Sequence, residues 1–254
     1  MAPGLWSESR GRGPRVVFLH GFTQAGKSWD PVLKAATGLN IETVLPDLPG
    51  HGRSSRQKLH LNDTADLLAQ SFGPAAYVGY SMGGRVALHV ALRHPGLVRG
   101  LLLFGATPGL DSEQDRIERR CADEKLAQDI EAIGVPAFLE RWLSSPLFAT
   151  LPRTAQDLTL REQNTVEGLA SSLRLSGTGT QASLWPYLNT IRIPTIVAAG
   201  DRDQKFTQIG NSIVERIGDS ATFATVVDAG HSCHVEQPDK AADLLRRLLS
   251  ECTD

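Results

Sequence analysis

The sequence predicts an α/β fold: a mostly parallel sheet flanked by helices, with a helical cap insertion. Three observations predict it. Short runs that are apolar throughout recur along the chain and alternate with helical patterns, as expected of parallel strands covered on both faces. One long stretch breaks that rhythm with helix after helix. A serine stands between glycines where one apolar run meets a helix, in VGYSMGGRVAL.

Arg15–His20 (RVVFLH) is the first run, β-branched and ended by Gly21. Ile41–Leu45 (IETVL) is the second, stopped by Pro46, and Ala75–Gly79 the third. A helical pattern then continues through His94 to a stop signal at Pro95. Leu101–Phe104, Thr195–Ala199 and Thr222–Val227 are the remaining strands, and Lys240–Ser250 closes the chain as a helix. Between Phe104 and Thr195 the pattern predicts helices over Asp111–Ile133, Pro136–Leu143, Thr154–Asn164 and Val166–Leu175. An insertion between two parallel strands lies over their carboxyl ends, where open α/β sheets bind ligands. The expected division is therefore a core of 1–107 and 190–254, with 108–189 as a helical cap over the site. The alternative is a helical excursion packed elsewhere.

Composition bounds the function. The chain has 254 residues, 41% apolar and 21% charged, which suits one large domain with its own core. A net charge of −2 gives no pull toward nucleic acid. The opening MAPGLWSESRGRGPR lacks an apolar core of signal-peptide length, and GLVRGLLLFGA is interrupted by Arg99 and too short to span a bilayer. Cys121, Cys233 and Cys252 are too scattered for a disulfide framework or a zinc site. The expectation is a cytoplasmic protein without membrane insertion. No G-x-G-x-x-G or P-loop occurs, so neither nucleotide, flavin nor metal cofactor is implied. Composition leaves the oligomeric state open.

Gly79-Tyr80-Ser81-Met82-Gly83 fits a nucleophile elbow, a strained strand-to-helix turn that exposes the serine and needs glycines around it. Such a serine requires an acid and then a histidine later in the chain, each just after a strand. Gly200-Asp201-Arg202-Asp203 and Gly230-His231 meet that requirement. Asp201 directly follows the strand-ending glycine and suits a turn. Asp203 lies further out on the loop, nearer to His231, and is favoured. His51, His89 and His94 are rival histidines; the last two lie on the helix after Ser81 and are expected to point away from it or to lie at the surface. His20-Gly21-Phe22 follows the first strand, where an oxyanion-hole loop belongs, and DLPGHGRS forms a turn-rich loop after the second.

Together these motifs resemble the α/β-hydrolase superfamily over nearly the whole chain. That resemblance implies the backbone N–H groups of Phe22 and Met82 as oxyanion donors. Fold alone does not give the reaction. Arg85, one turn past Ser81, could reach into the pocket or pair with a structural carboxylate. Arg119, Arg120 and Arg161 are further candidate cations in the cap, although 109–190 carries only 8 Lys/Arg against 12 Asp/Glu.

A finer similarity runs from the HGF loop to the AGH motif. The elbow GYSMGGRVAL and the runs ERRCAD, FLERWLSSPLF, LREQN, SGTGTQASLWPYL and GDRDQKF are similar to the 2-succinyl-6-hydroxy-2,4-cyclohexadiene-1-carboxylate synthases of menaquinone biosynthesis. The similarity implies a small polycarboxylate substrate, a lyase reaction releasing pyruvate, and Ser81, Asp203 and His231 as the triad. It further implies Arg85, Arg119 and Arg161 as ligands of substrate carboxylates, with Arg120 an alternative to Arg119. Trp142, Phe148 and Tyr80 would line the pocket. A C–C bond hydrolase or esterase with the same triad, and a non-catalytic receptor using the capped pocket, are the rival readings.

Overall fold

The computed structural model describes residues 4–252. Seven strands form one sheet: β1 (Ser7–Gly11), β2 (Arg15–Leu19), β3 (Glu42–Pro46), β4 (Ala75–Tyr80), β5 (Val98–Phe104), β6 (Thr195–Gly200) and β7 (Ala221–Val226), in the order β1-β3-β2-β4-β5-β6-β7. All neighbours are parallel except β1, which runs antiparallel to β3 with Ser7 opposite Pro46 and Gly11 opposite Glu42. The expected strands stand within a few residues of their predicted places. β1 was not expected, because SESRG has no apolar alternation. Its pairing is supplied by the backbone of β3, and its polar side chains suit a sheet edge.

The central strand β4 is buried at all six positions, since helices cover both faces. One face packs against α2 (Leu61–Phe72), α3 (Met82–Arg93) and α7 (Gln204–Ile217) through Leu68, Val86, Val90 and Ile213. The other packs against α1 (Asp30–Ala35) and α9 (Pro238–Glu251) through Val32, Leu245 and Leu248. A short helix α8 (Cys233–Glu236) precedes α9.

Between β5 and β6 the chain forms α4 (Glu113–Leu143), α5 (Ala155–Glu162) and α6 (Val166–Ser176). Each begins at a side chain that caps it: Ser112 accepts from the Asp115 amide, Thr154 from Asp157 and Thr165 from Gly168. α4 is two helices joined at Gly134, whose φ of 76° and ψ of 169° lie outside helical space. The predicted break between Ile133 and Pro136 falls there. α4 and α6 share a small core of their own, with Ile130, Phe138, Leu139, Leu169 and Leu173 buried together.

α3 approaches β2 closely at Gly83. A Cβ on Gly83 would lie 2.0 Å from the Leu19 carbonyl oxygen, a backbone atom that cannot swing away. Gly83→Ala should therefore force α3 off the sheet and destabilise the protein by about 3 kcal/mol. Thermal unfolding should show a Tm lowered by roughly 6–12 °C; an unchanged Tm would mean that the elbow tolerates a side chain there.

Candidate active site

Ser81 joins β4 to α3 with φ 50° and ψ −107°. A non-glycine residue with positive φ costs on the order of 1–2 kcal/mol, so the surroundings must hold it. They do so through backbone. The Ser81 amide donates to the Phe104 carbonyl at 2.9 Å, and the Ser81 carbonyl accepts from the Arg85 amide at 3.1 Å. Gly79 has no room for a side chain either: its Cβ would meet the Gly83 oxygen at 2.5 Å.

His231 Nδ1 donates to Asp203 Oδ2 at 2.8 Å, and its Nε2 lies 3.3 Å from Ser81 Oγ. With the proton on Nδ1, Nε2 is left as the acceptor facing the hydroxyl. The second oxygen of Asp203 caps α7 by accepting from the Phe206 amide at 3.2 Å. Phe206 packs on the His231 ring at 4.4 Å between centroids, with Tyr80 at 5.3 Å and Phe148 at 6.2 Å. Asp201 instead accepts from the Ala229 amide at 3.1 Å and braces the turn that precedes His231.

The loop after β2 is pinned atom by atom. The Gly21–Phe22 peptide has its carbonyl held by His20 Nδ1 at 2.8 Å and by the Gln24 amide at 3.2 Å. A trans peptide points its N–H opposite to its C=O, so the Phe22 amide faces away from these partners. The Gln24 side chain in turn accepts from the Gly21 amide at 3.0 Å. His20 Nε2 accepts from the Leu48 amide at 2.9 Å, so its proton sits on Nδ1. His51 likewise accepts from the Thr23 amide at 3.2 Å and donates to the Pro49 carbonyl. Among the described residues, neither the Phe22 nor the Met82 amide finds an acceptor in the protein.

Ser81 opens into a cavity of about 160 Å³ lined by Phe22, Tyr80, Met82, Arg85, Arg119, Trp142, Phe148, Lys205 and His231 among others. Arg85 is 7% exposed, donating to the Gln181 side chain at 3.2 Å and to the Ser176 carbonyl at 2.8 Å. It has no carboxylate partner among the described residues. Burial, with Arg119 adding to it, pulls its pKa down to about 10. Arg119 faces the same cavity, its Nε donating to Asp123 at 2.8 Å. Arg120 instead donates to the Gly179 carbonyl and Glu113, and lines a separate groove of about 730 Å³ with Gln181, Trp185 and Arg216. Tyr80 offers its ring to the cavity, while its hydroxyl bonds Ser232 Oγ at 2.8 Å; burial raises its pKa.

Arg161 departs from expectation. It is 2% exposed and is not among the residues lining the Ser81 cavity. Its Nε pairs with Asp157 at 2.7 Å and its Nη1 donates to the Thr23 hydroxyl. The sequence reading also missed Lys205, a cavity cation in the first turn of α7. The helix dipole opposes a cation at that end, and this mismatch was a signal available in the sequence. His89 is buried rather than at the surface, and its Nε2 has no partner. His94 pairs with Asp66 at 2.6 Å. His234, which the sequence reading did not consider, is fully buried against Tyr80, with ring centroids 4.1 Å apart.

Comparison with known proteins gives the following. The α/β hydrolase family matches residues 16–244. A 2-succinyl-6-hydroxy-2,4-cyclohexadiene-1-carboxylate synthase of Salmonella paratyphi B is 34% identical over 93% of this chain and 94% of its own length. A Bacillus subtilis protein assigned the same activity provisionally is 37% identical, over 92% of this chain and 90% of its own. Among solved structures, MenH from S. aureus superposes with a TM-score of 0.90 at 29% identity, covering 98% of this chain and 99% of that one. An esterase from Thermogutta terrifontis, 24% identical with a TM-score of 0.81 over 98% of this chain and 94% of that one, shares the fold.

The buried histidines make stability depend on pH. Burial lowers the pKa of His20 to about 4, of His51 to about 3 and of His89 to about 4, against an ordinary 6.5. Between those values the unfolded chain binds protons that the folded chain refuses, so stability falls as pH drops from 6.5 toward 4. Urea unfolding across that range should show the decline. His51→Gln should flatten its slope by up to about 1.4 kcal/mol per pH unit; an unaltered slope would mean that His51 is already protonated in the fold.

Proposed function

The chain belongs to the α/β hydrolase family and, within it, to the 2-succinyl-6-hydroxy-2,4-cyclohexadiene-1-carboxylate synthases, and on that premise we propose how its residues carry out the elimination. The substrate, 2-succinyl-5-enolpyruvyl-6-hydroxy-3-cyclohexene-1-carboxylate, loses pyruvate. His231, oriented by Asp203, takes the Ser81 hydroxyl proton as Ser81 Oγ removes the ring proton beside the succinyl carbonyl. The C–H electron pair moves into the ring, the ring double bond shifts, and the C–O bond to the enolpyruvyl group breaks at the far end. Charge that develops on the succinyl carbonyl oxygen is met by the Phe22 and Met82 amides, whose lack of protein acceptors supports that role. The proton held on His231 goes to the leaving enolpyruvate, which becomes pyruvate. No acyl-enzyme is required.

The observation that carries this reading is Arg85. A guanidinium buried beside Ser81 with only neutral acceptors is an electrostatic cost that a carboxylate ligand would offset. Lys205 adds positive charge to the same cavity, Arg119 lines it while paired with Asp123, and the substrate brings three carboxylates. Arginine's planar fork suits a carboxylate better than an ammonium does. A carboxylate-poor ester would use none of this.

Pyruvate release from substrate generated in situ, mass spectrometry of the quenched reaction, and turnover of neutral esters test the proposal. Ser81→Ala should lower kcat at least about a thousandfold, with His231→Ala adding little in the double variant. Rapid quenching followed by mass spectrometry should find no substrate-derived mass on Ser81; such an adduct would point to hydrolase chemistry. Arg85→Ala should lose about 2–5 kcal/mol in kcat/KM, with Arg85→Lys recovering part. Equal losses on neutral esters would return Arg85 to a structural role.

A further inference from the structure

Thr23 follows Phe22 and is held at three atoms. Its amide donates to His51 Nε2 at 3.2 Å, its carbonyl accepts from Asn164 Nδ2 at 2.7 Å, and its hydroxyl accepts from Arg161 Nη1. Thr23 is fully buried and sits at φ 69°, a conformation that a β-branched residue adopts only when its neighbours impose it. Two of the three clamps come from the cap, 141 and 138 residues away in sequence.

Both polar side-chain atoms of Asn164 are engaged. Its Oδ1 accepts from the Gly52 amide at 2.8 Å, and its Nδ2 donates to the carbonyls of Thr23 and, at 2.9 Å, of Arg161. It thus ties the end of α5 to both core loops, the one bearing Phe22 and the one bearing His51. Arg161 is oriented for the same task, its Nε fixed by Asp157 and its Nη1 aimed at Thr23 behind the loop, outside the Ser81 cavity.

We propose that Asn164 and Arg161 are positioning residues: they clamp Thr23 so that the Phe22 amide points at the developing oxyanion, and Arg161 acts through this clamp instead of by binding a substrate carboxylate. The proposal rests on Phe22 being an oxyanion donor. The Gly21–Phe22 peptide is fixed on its near side by His20 and Gln24. The Thr23 clamp fixes the far side. A donor that tilts loses its hold on charge in the transition state while ground-state binding through Arg85 and Arg119 continues, so the clamp governs kcat and not KM.

The test is steady-state pyruvate release by Thr23→Ala, Thr23→Ser, Asn164→Ala and Arg161→Ala, alongside hydrogen exchange over the Phe22 loop. Thr23→Ala removes the acceptor hydroxyl together with the γ-methyl and should lower kcat by about tenfold to a hundredfold, short of losing a whole oxyanion donor, with KM little changed. Thr23→Ser keeps the hydroxyl and should retain most of kcat. Arg161→Ala should resemble Thr23→Ala, and the double variant should fall little further. Arg161→Ala that raises KM at intact kcat, with Thr23→Ala unaffected, would overturn the proposal and make Arg161 a substrate ligand. Exchange reads the clamp without turnover: Asn164→Ala should speed exchange of the Thr23 amide while the central strands stay protected. Unchanged exchange there would overturn the clamp. Absence of pyruvate release by the unaltered enzyme would instead overturn the assigned reaction.

Discussion

The contact on which the rest of the site depends is backbone on backbone. The first turn of α3 lies so close to the end of β2 that Gly83 has no space for a single carbon beyond its Cα. This approach leaves the connecting residue, Ser81, no ordinary conformation, and it takes φ 50°. It also sets the Met82 amide at the start of a helix, where N–H groups lack intrahelical partners and the dipole favours negative charge. The histidine arrives by the same device. Gly105 leaves room for the His231 ring, since a Cβ there would be 3.0 Å from it, and Gly200 lets the Ala229–Gly230 backbone fold over the end of β6. Rigid main chain thus fixes the distance from Oγ to Nε2, and side-chain rotamers need only small adjustments.

Electrostatics around that frame are divided by depth. Beneath the loop that bears Phe22, His20 and His51 are held neutral by burial, and each uses one ring nitrogen to accept and the other to donate. Neutral imidazoles brace the loop without adding a field that would compete with His231 for its proton. Among the described residues, Arg85, Arg119 and Lys205 line the cavity; Arg119 is paired with Asp123, whose charge also acts on Arg85, and Arg85 has no carboxylate within salt-bridge distance. The acidic balance of the cap as a whole therefore says little about the site. Its carboxylates, Glu113, Glu124 and Glu131 among them, pair with Arg116, Arg120 and Arg174 on outer surfaces. What matters for ligand charge is which cations the fold leaves unpaired.

The sequence made the elbow, the order of Ser81, Asp203 and His231, and the helical insertion legible, because each is a local pattern with a mechanical cause. Gly134 followed by Pro136 marked the break in α4 for the same reason. β1 was illegible, since its pairing comes from a neighbour and not from its own residues. Choosing between Arg119 and Arg120 requires helix phase relative to the core. The buried Asp123, one turn beyond Arg119, identifies the inward face once the structure is in hand. Arg161 shows a different limit. A motif carries a residue type to a position, but whether its guanidinium faces the cavity or the loop behind it depends on Asp157 and Thr23, on two separate elements.

On the proposed roles the helical insertion serves twice. It closes the pocket with Trp142, Phe148 and Arg119, and through Asn164 and Arg161 it reaches the core loop that carries Phe22. A core domain by itself would keep the hydrogen bonds among Ser81, Asp203 and His231, which lie in the sheet and its connections, and would lose Phe148 from the His231 ring. It would lack two of the three restraints on Thr23. On the proposed roles, specificity for a carboxylate-rich substrate and stabilisation of charge on its carbonyl would both draw on one inserted segment. An enzyme of this fold that exchanged its cap for another would have to rebuild the brace behind the oxyanion loop as well as the pocket wall in front of it.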